Sequence, residues 1–168
     1  MKISKIFLLL LVVAMAFSAC ETLPKQEVTY SPTFPVSGEY LVRVTDAADG
    51  TQPYPAIFAL RTYNTSSNTK DTVWVKLGGS SSLYKFGLLG KVTCNPTAAT
   101  FSVANGNNLV YSSAFTIIEG KVLLGKAKVP SKAVCDSVYV KFTTAKDPTK
   151  IYVAKGHRRT GFLEDESI

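Results

Sequence analysis

Cys20 is the residue whose position most directly indicates chemistry, because it follows Phe17-Ser18-Ala19 at the end of an apolar run. The run, Ile6 to Ala16, begins after Lys2 and Lys5, as in a secretory signal peptide. Small residues before such a cysteine are typical of a lipoprotein signal, in which the thiol takes up a diacylglycerol before cleavage. The run is shorter than the ~20 residues of a membrane-spanning helix. We therefore expect export and lipid anchoring through Cys20, the alternative being an ordinary secretory signal cleaved near residue 19.

His157 is the only histidine in the sequence, so it is the only imidazole base available to a serine or cysteine nucleophile. It lies between Gly156 and the pair Arg158-Arg159, and no carboxylate neighbours it in sequence. We expect a surface histidine and no catalytic residues. His157, Cys94 and Cys135 have no metal-ligand spacing, which predicts neither a metal nor another cofactor.

The net charge and the spacing of the lysines indicate whether the protein binds nucleic acid. Loss of Lys2 and Lys5 with the signal peptide would lower the formal net charge from +7 to +5. The remaining lysines are scattered and form no run of five or more, so we expect no nucleic-acid partner.

Three regions are predicted along the chain: a signal peptide at 1–19, a lipid-anchored tether at 20–37, and a single β-domain at 38–168. The tether contains three prolines, which favour an extended chain. From Gly38 onward, short runs rich in Val, Ile, Thr, Tyr and Phe alternate with turn residues.

Nine candidate strands follow from this pattern. They are 38–46, 56–63, 71–77, 83–94, 98–104, 110–118, 121–129, 136–144 and 149–156. Val73, Val75 and Leu77 show the alternation most clearly. No stretch after the signal peptide keeps a helical period that could serve parallel crossovers, so the sheet should be antiparallel. We expect an all-β, up-and-down antiparallel barrel of 8–9 strands, with a two-sheet β-sandwich as the alternative.

Cys94 and Cys135 are the cysteines left after lipidation of Cys20. In this strand count Cys94 ends the fourth strand and Cys135 precedes the eighth, which places them at opposite rims. A disulfide needs Cα atoms within ~7 Å. We therefore predict two free thiols.

Aromatic residues on nearly every strand are the candidate ligand-binding residues. They are Tyr40, Phe58, Trp74, Phe86, Phe101, Tyr139 and Tyr152. Small residues such as Gly90, Gly125 and Ala154 could leave room between the rings or mark strand bends. A packed core and a ligand cavity both remain open.

Several segments carry a family resemblance. They are Tyr63–Asn68, Asp71–Val75, Gly120–Val122, Asp136–Val140 and, most specifically, Gly156–Phe162. Through them the chain resembles a family of bacterial lipoproteins with a lipocalin-like barrel, catalogued as lipid-binding putative hydrolases. The resemblance implies a calycin-like barrel in an envelope lipoprotein, and it brings no catalytic residues with it.

The expected function is that of a lipid-anchored cell-envelope protein, at the outer membrane, that binds a small apolar or amphipathic ligand. The membrane is its expected partner through Cys20, and we expect a monomer. The first alternative is an envelope interaction or structural lipoprotein with a solid barrel core. The second is a hydrolase. In the C-terminal segment we expect Phe162 and Leu163 to dock on the domain and Arg158 or Arg159 to meet a carboxylate.

Overall fold

A computed structural model describes residues 27–78 and 84–167 of the chain. The predicted signal peptide at 1–19, the predicted acylation site Cys20 and the first part of the predicted tether lie outside the described residues. The barrel described below belongs to a compact unit that begins at Ser31.

Eight antiparallel strands form one closed barrel in which each strand pairs with the next and β1 pairs with β8. The strands are β1 Gly38–Asp46, β2 Phe58–Asn64, β3 Thr72–Leu77, β4 Leu88–Asn95, β5 Thr100–Asn108, β6 Ser113–Ala127, β7 Cys135–Thr144 and β8 Asp147–Arg158. The predicted up-and-down barrel is confirmed, and the sandwich alternative is wrong because the sheet closes on itself.

The alternation found in the sequence sets the two faces of the barrel. Val73, Val75 and Leu77 of β3 are buried, whereas the residues between them are half-buried. Alternate residues of a strand point to opposite faces, so one set fills the interior and the other lies outside.

The strand count differs from the expectation at Glu119-Gly120, the two residues that separate the predicted strands 110–118 and 121–129. Both residues lie inside β6, beside a register shift between Ile117 and Glu119. Gly120 opposes Phe101, and a Cβ there would lie 2.4 Å from the Phe101 ring. Glycine at this position therefore admits a ring rather than turning the chain, and the predicted strands 110–118 and 121–129 merge into one.

The other boundary differences are smaller. Residues 105–108, which lie between the predicted strands 98–104 and 110–118, belong to β5, and the turn follows at 109–112. The predicted strand at 83–94 begins only at Leu88, because residues 85–86 form a turn.

We call the end of the barrel at which β1 begins and β8 ends the first rim, and the opposite end the second rim. A short 3₁₀ helix, Phe34–Val36, precedes β1 at the first rim. Val36 is fully buried, and the Thr62 hydroxyl donates to its carbonyl. The last part of the predicted tether is thus folded onto the barrel.

A second 3₁₀ helix, Leu163–Asp165, follows β8. Among the described residues, no helix is long and apolar enough to span a membrane.

Candidate functional site

Five of the seven aromatic residues predicted to bind ligand are buried. They are Tyr40, Phe58, Phe86, Phe101 and Tyr152, each at most 7% exposed. Phe86 lies 5.0 Å from Phe58 and 5.6 Å from Tyr152 between ring centroids, so these three form one cluster near the second rim. Tyr40 lies near the first rim instead.

Trp74 and Tyr139 lie on the outer face of the barrel, because the residues flanking them on β3 and β7 are buried. The Trp74 ring stacks on Tyr63 at 6.5 Å, and the Lys91 ammonium lies 5.3 Å from its centroid. The structure therefore does not bring Trp74 and Tyr139 together with the buried aromatics. The assignment of the seven residues to a ligand stays a prediction.

The small residues of the barrel do not leave empty space, because aromatic rings occupy it. A Cβ at Gly90 would lie 2.5 Å from the Phe115 ring, and one at Gly106 would lie 2.8 Å from the same ring. Phe115 is itself 1% exposed. These glycines accommodate a core side chain rather than a ligand.

Two buried polar side chains of the interior, Tyr152 and Asn108, have hydrogen-bond partners close by. The Tyr152 hydroxyl donates to Asp147 Oδ2 at 2.8 Å, and burial raises the pKa of Tyr152 above its usual value. The fully buried Asn108 donates to the Gly87 carbonyl and accepts from the Leu89 amide. Neither group offers an unpaired polar atom to a ligand.

An apolar groove of about 440 Å³ lies on the outside of the barrel at the first rim. This volume falls within the ≈ 300–1,000 Å³ of small-molecule sites. We call it the rim groove. Its apolar walls are Phe34, Pro35, Leu124, Ala133, Val134 and Phe162.

Four apolar side chains of the rim groove are open to solvent: Phe34, Leu124, Val134 and Phe162. Val134 is 89% exposed, which is unusual for a valine beside other apolar groups. Clustered apolar exposure of this kind marks a binding surface more often than scattered exposure does. Phe162 and Leu163 do not dock on the domain as predicted, since both are exposed.

Arg158 forms the polar floor of the rim groove. Its Nε lies 2.8 Å from Asp136 Oδ2, and its Nη2 donates to the Ser37 carbonyl at 2.8 Å. The neighbouring Arg159 forms a bidentate ion pair with Glu166. Its Nε donates to Oε1 at 2.7 Å, and its Nη2 donates to Oε2 at 2.9 Å. The predicted pairing of these arginines with carboxylates is thus present for both.

Asp165 attaches the C-terminal segment to the loop between β6 and β7. Its Oδ1 accepts from the Ser131 amide at 2.9 Å, and its Oδ2 accepts from the Ser131 and Thr160 hydroxyls at 2.6 Å each. Burial alone would raise the pKa of Asp165, but these hydrogen bonds outweigh it and lower the pKa. We call this arrangement the tail latch.

His157 is buried under the tail latch, so the expected surface histidine is wrong. Its Nε2 donates to the backbone carbonyl of Asp165 at 3.0 Å. Ser131, His157 and Asp165 are therefore neighbours, but their hydrogen bonds differ from those of a hydrolytic triad. In such a triad the imidazole bonds to both the serine hydroxyl and the carboxylate. The Ser131 hydroxyl donates to the carboxylate, and the imidazole donates to a main-chain carbonyl, so the imidazole is not placed to take the proton of the serine.

Cys94 and Cys135 are both buried free thiols. The reasoning that placed them at opposite rims is wrong, because the merged β6 makes Cys135 the first residue of the seventh strand. Both lie at the first rim with β5 and β6 between them. Three strand spacings of ~4.8 Å exceed the reach of a disulfide.

No cluster of three or more His, Cys, Asp or Glu side chains suited to a metal ion occurs within residues 27–78 and 84–167. The sequence analysis singled out Phe162 and the two arginines, but it did not bring the groove together, because four separate segments supply its residues: 34–35, 124, 133–136 and 158–162. The available indication was the apolar run Val122-Leu123-Leu124, which breaks the alternation of β6.

A family model described as "Lipid-binding putative hydrolase" matches residues 25–163. The match includes every strand of the barrel and the residues of the rim groove. The resemblance drawn from the sequence is confirmed. No curated protein matches the sequence.

Proposed function

Because the chain belongs to the family of lipid-binding putative hydrolases, we propose that it binds the apolar part of an amphipathic lipid in the rim groove. The observation that carries the proposal is the exposure of Phe34, Leu124, Val134 and Phe162 around one groove of about 440 Å³. Each methylene moved from water into such a groove contributes about 0.8 kcal/mol. A short acyl segment is enough for measurable affinity.

The packed interior favours the rim groove over the barrel lumen as the site. Phe115 fills the space beside Gly90 and Gly106, and the cluster around Phe86 fills the region near the second rim. A ligand in the lumen would have to displace these rings, and core rearrangement typically costs 1–3 kcal/mol or more.

Lipid anchoring at the outer membrane is the second part of the proposal, and it is supported by the sequence around Cys20. The chain from Cys20 to Phe34 can extend at most about 50 Å at ~3.6 Å per residue. The first rim, where β1 begins, would therefore stay within reach of the membrane surface. A groove at this rim could take a lipid directly from the bilayer to which the protein is attached.

The anchoring proposal is tested by the mass of the mature protein and by Cys20→Ala. We expect a diacylated Cys20 as the first residue, and we expect Cys20→Ala to move the protein from membranes to the soluble fraction. An intact bond between residues 19 and 20, or an unmodified Cys20, would contradict anchoring and leave the groove proposal standing.

The binding proposal is tested by titrating the full chain with oleate and following the complex by native mass spectrometry. In the variant Val134→Ser/Phe162→Ser, both changed residues are exposed, so the core is untouched. We expect about tenfold weaker binding, since the loss of ~1.4 kcal/mol of apolar contact is tenfold in affinity.

The matched control is Leu109→Ser/Ile118→Ser, which removes two exposed apolar side chains elsewhere on the barrel. Its affinity should stay within about twofold of the unchanged protein. Equal losses in the two variants, or no oleate binding at all, would contradict the proposal.

The packed interior also favours one further candidate function, an envelope interaction protein with a solid barrel. In that case the rim groove would take an apolar segment of a protein partner. Failure of lipid binding together with an unchanged fold would point to this candidate.

A further inference from the structure

A second groove, of about 480 Å³, lies on the outer face of β1 and β8 beside the chain that leaves β6. We call it the basic groove. Four cationic side chains line it, namely Arg43, Lys126, Lys128 and Lys155, and none of its lining residues in the described part of the chain carries a carboxylate. Three separate segments of the chain supply these cations, so the barrel closure brings them together.

The pairing of β1 with β8 sets two of these cations against each other. Arg43 and Lys155 are direct register partners across the antiparallel ladder. Like charges in this position destabilise a sheet. The Lys155 ammonium lies 5.5 Å from the centroid of the Tyr139 ring, within the range of a cation–π contact.

Lys126 and Lys128 complete the basic groove from the other side. Both are exposed, and no ion pair within the described part of the chain involves either of them. The nearby acids are already engaged: Asp136 with Arg158, and Asp165 in the tail latch. No carboxylate of the described residues therefore neutralises the charges that Lys126 and Lys128 bring to the groove.

Neutral hydrogen-bonding groups accompany the charges. Thr45, Gln52 and Ser137 also line the basic groove. Converging cations with hydroxyl and amide groups between them are suited to an anion with several oxygen atoms, because each oxygen can accept a charge-assisted hydrogen bond. The groove is too small for a nucleic-acid strand, which requires an extended basic track.

We propose that the basic groove binds a phosphate group, of the kind carried by an anionic lipid headgroup or by a small soluble phosphate ester. The inference goes beyond the proposed function, because its residues differ from those of the rim groove and it requires no acyl chain.

The proposal is tested by calorimetric titration of the full chain, in nonionic detergent, with two probes. Pyrophosphate represents a free phosphate, and phosphatidic acid in the same detergent represents a lipid headgroup. The variant is Lys126→Gln/Lys128→Gln, and the matched control is Lys70→Gln/Lys85→Gln, which removes the same charge from exposed lysines outside the groove.

We expect the Lys126→Gln/Lys128→Gln variant to bind at least one probe about tenfold more weakly, with the control within about twofold of the unchanged protein. Weaker pyrophosphate binding by this variant would show that the site recognises the phosphate group itself. Loss confined to phosphatidic acid assigns it to a lipid headgroup. Binding should also weaken as ionic strength rises.

Three results would overturn the proposal: no binding of either probe, equal losses in variant and control, or phosphatidic acid binding that responds only to Val134→Ser/Phe162→Ser. The last result would leave the rim groove as the lipid site and remove the basic groove. Unchanged thermal unfolding of the lysine variants confirms that each loss is local.

Discussion

Arg158 lies over the ring of Tyr40, with 5.6 Å between the guanidinium carbon and the ring centroid. The two residues are register partners at the seam between β1 and β8, where the barrel closes. The same guanidinium reaches Asp136 and the Ser37 carbonyl. The Arg158 side chain thus connects β1 and β8, the first and last strands of the barrel, with β7.

Replacement of Arg158 by methionine should lower the free energy of unfolding by about 2 kcal/mol, because it removes a cation–π contact and leaves Asp136 without its partner. Urea unfolding measures the change. Arg61→Met is the control, since Arg61 forms an exposed pair with Glu39 and should contribute at most about 0.5 kcal/mol. Equal losses in the two variants would show that Arg158 does not secure the seam.

The packing of the interior is tested by Gly90→Ala. The new methyl group would meet the Phe115 ring at 2.5 Å and the Asn107 carbonyl oxygen at 2.6 Å. We expect a loss of about 2–3 kcal/mol in unfolding free energy, as for overpacked cores. Adding Phe115→Leu should recover part of it. A loss below about 0.5 kcal/mol would indicate that the lumen has free space.

The tail latch should make stability depend on pH in acid. The folded pKa of Asp165 is lowered, so its stabilisation is complete above the pKa of an unfolded aspartate, ~3.9. It is lost as pH falls through the lower pKa of the folded protein.

The variant Asp165→Asn should therefore melt at a lower temperature than the unchanged protein at neutral pH, and the difference should shrink at about pH 2.5. Glu164→Gln, which changes the adjacent exposed acid, is the control. A difference that is constant across this range would contradict a charged latch.

The thiols give an independent test of the chain's cysteines. The sequence has three, and we predict that Cys20 is acylated while Cys94 and Cys135 stay free. Burial raises the pKa of both Cys94 and Cys135, so both should react slowly in the folded protein. Denatured without reductant, the full chain should show two reactive thiols.

Any other number of reactive thiols would contradict one part of this prediction. A count of zero would mean a disulfide, and would contradict the placement of Cys94 and Cys135 on strands separated by β5 and β6. A count of three would contradict acylation of Cys20.

The barrel could be predicted from the sequence because successive side chains of a strand point to opposite faces, so a strand with one buried face alternates apolar and polar residues. Val73, Val75 and Leu77 show this on β3, and the structure buries all three. Glu119-Gly120 misled the strand count, since the same residues serve a turn or a strand that must admit a ring. The Phe101 ring, which packs against Gly120, decides between the turn and the strand, and its position cannot be read from the residues around Gly120.

The rim groove and the burial of His157 could not be predicted, because both depend on contacts between distant segments. His157 is covered only when Asp165 bonds to Ser131, 34 positions away. Phe34 and Phe162 approach one groove only because β1 and β8 are neighbours in the closed barrel. Neither relation leaves a periodic pattern in the sequence.

The central claim, that a lipid binds at the rim groove outside a packed barrel, is tested most directly by photolabelling. The full chain is irradiated with a diazirine-bearing fatty acid, and the labelled residues are located by peptide mass spectrometry. We predict labels on residues 133–136 and 160–163, and their loss when excess oleate competes. Competed labels on the interior residues Phe86 or Tyr152, with none at the first rim, would contradict the claim.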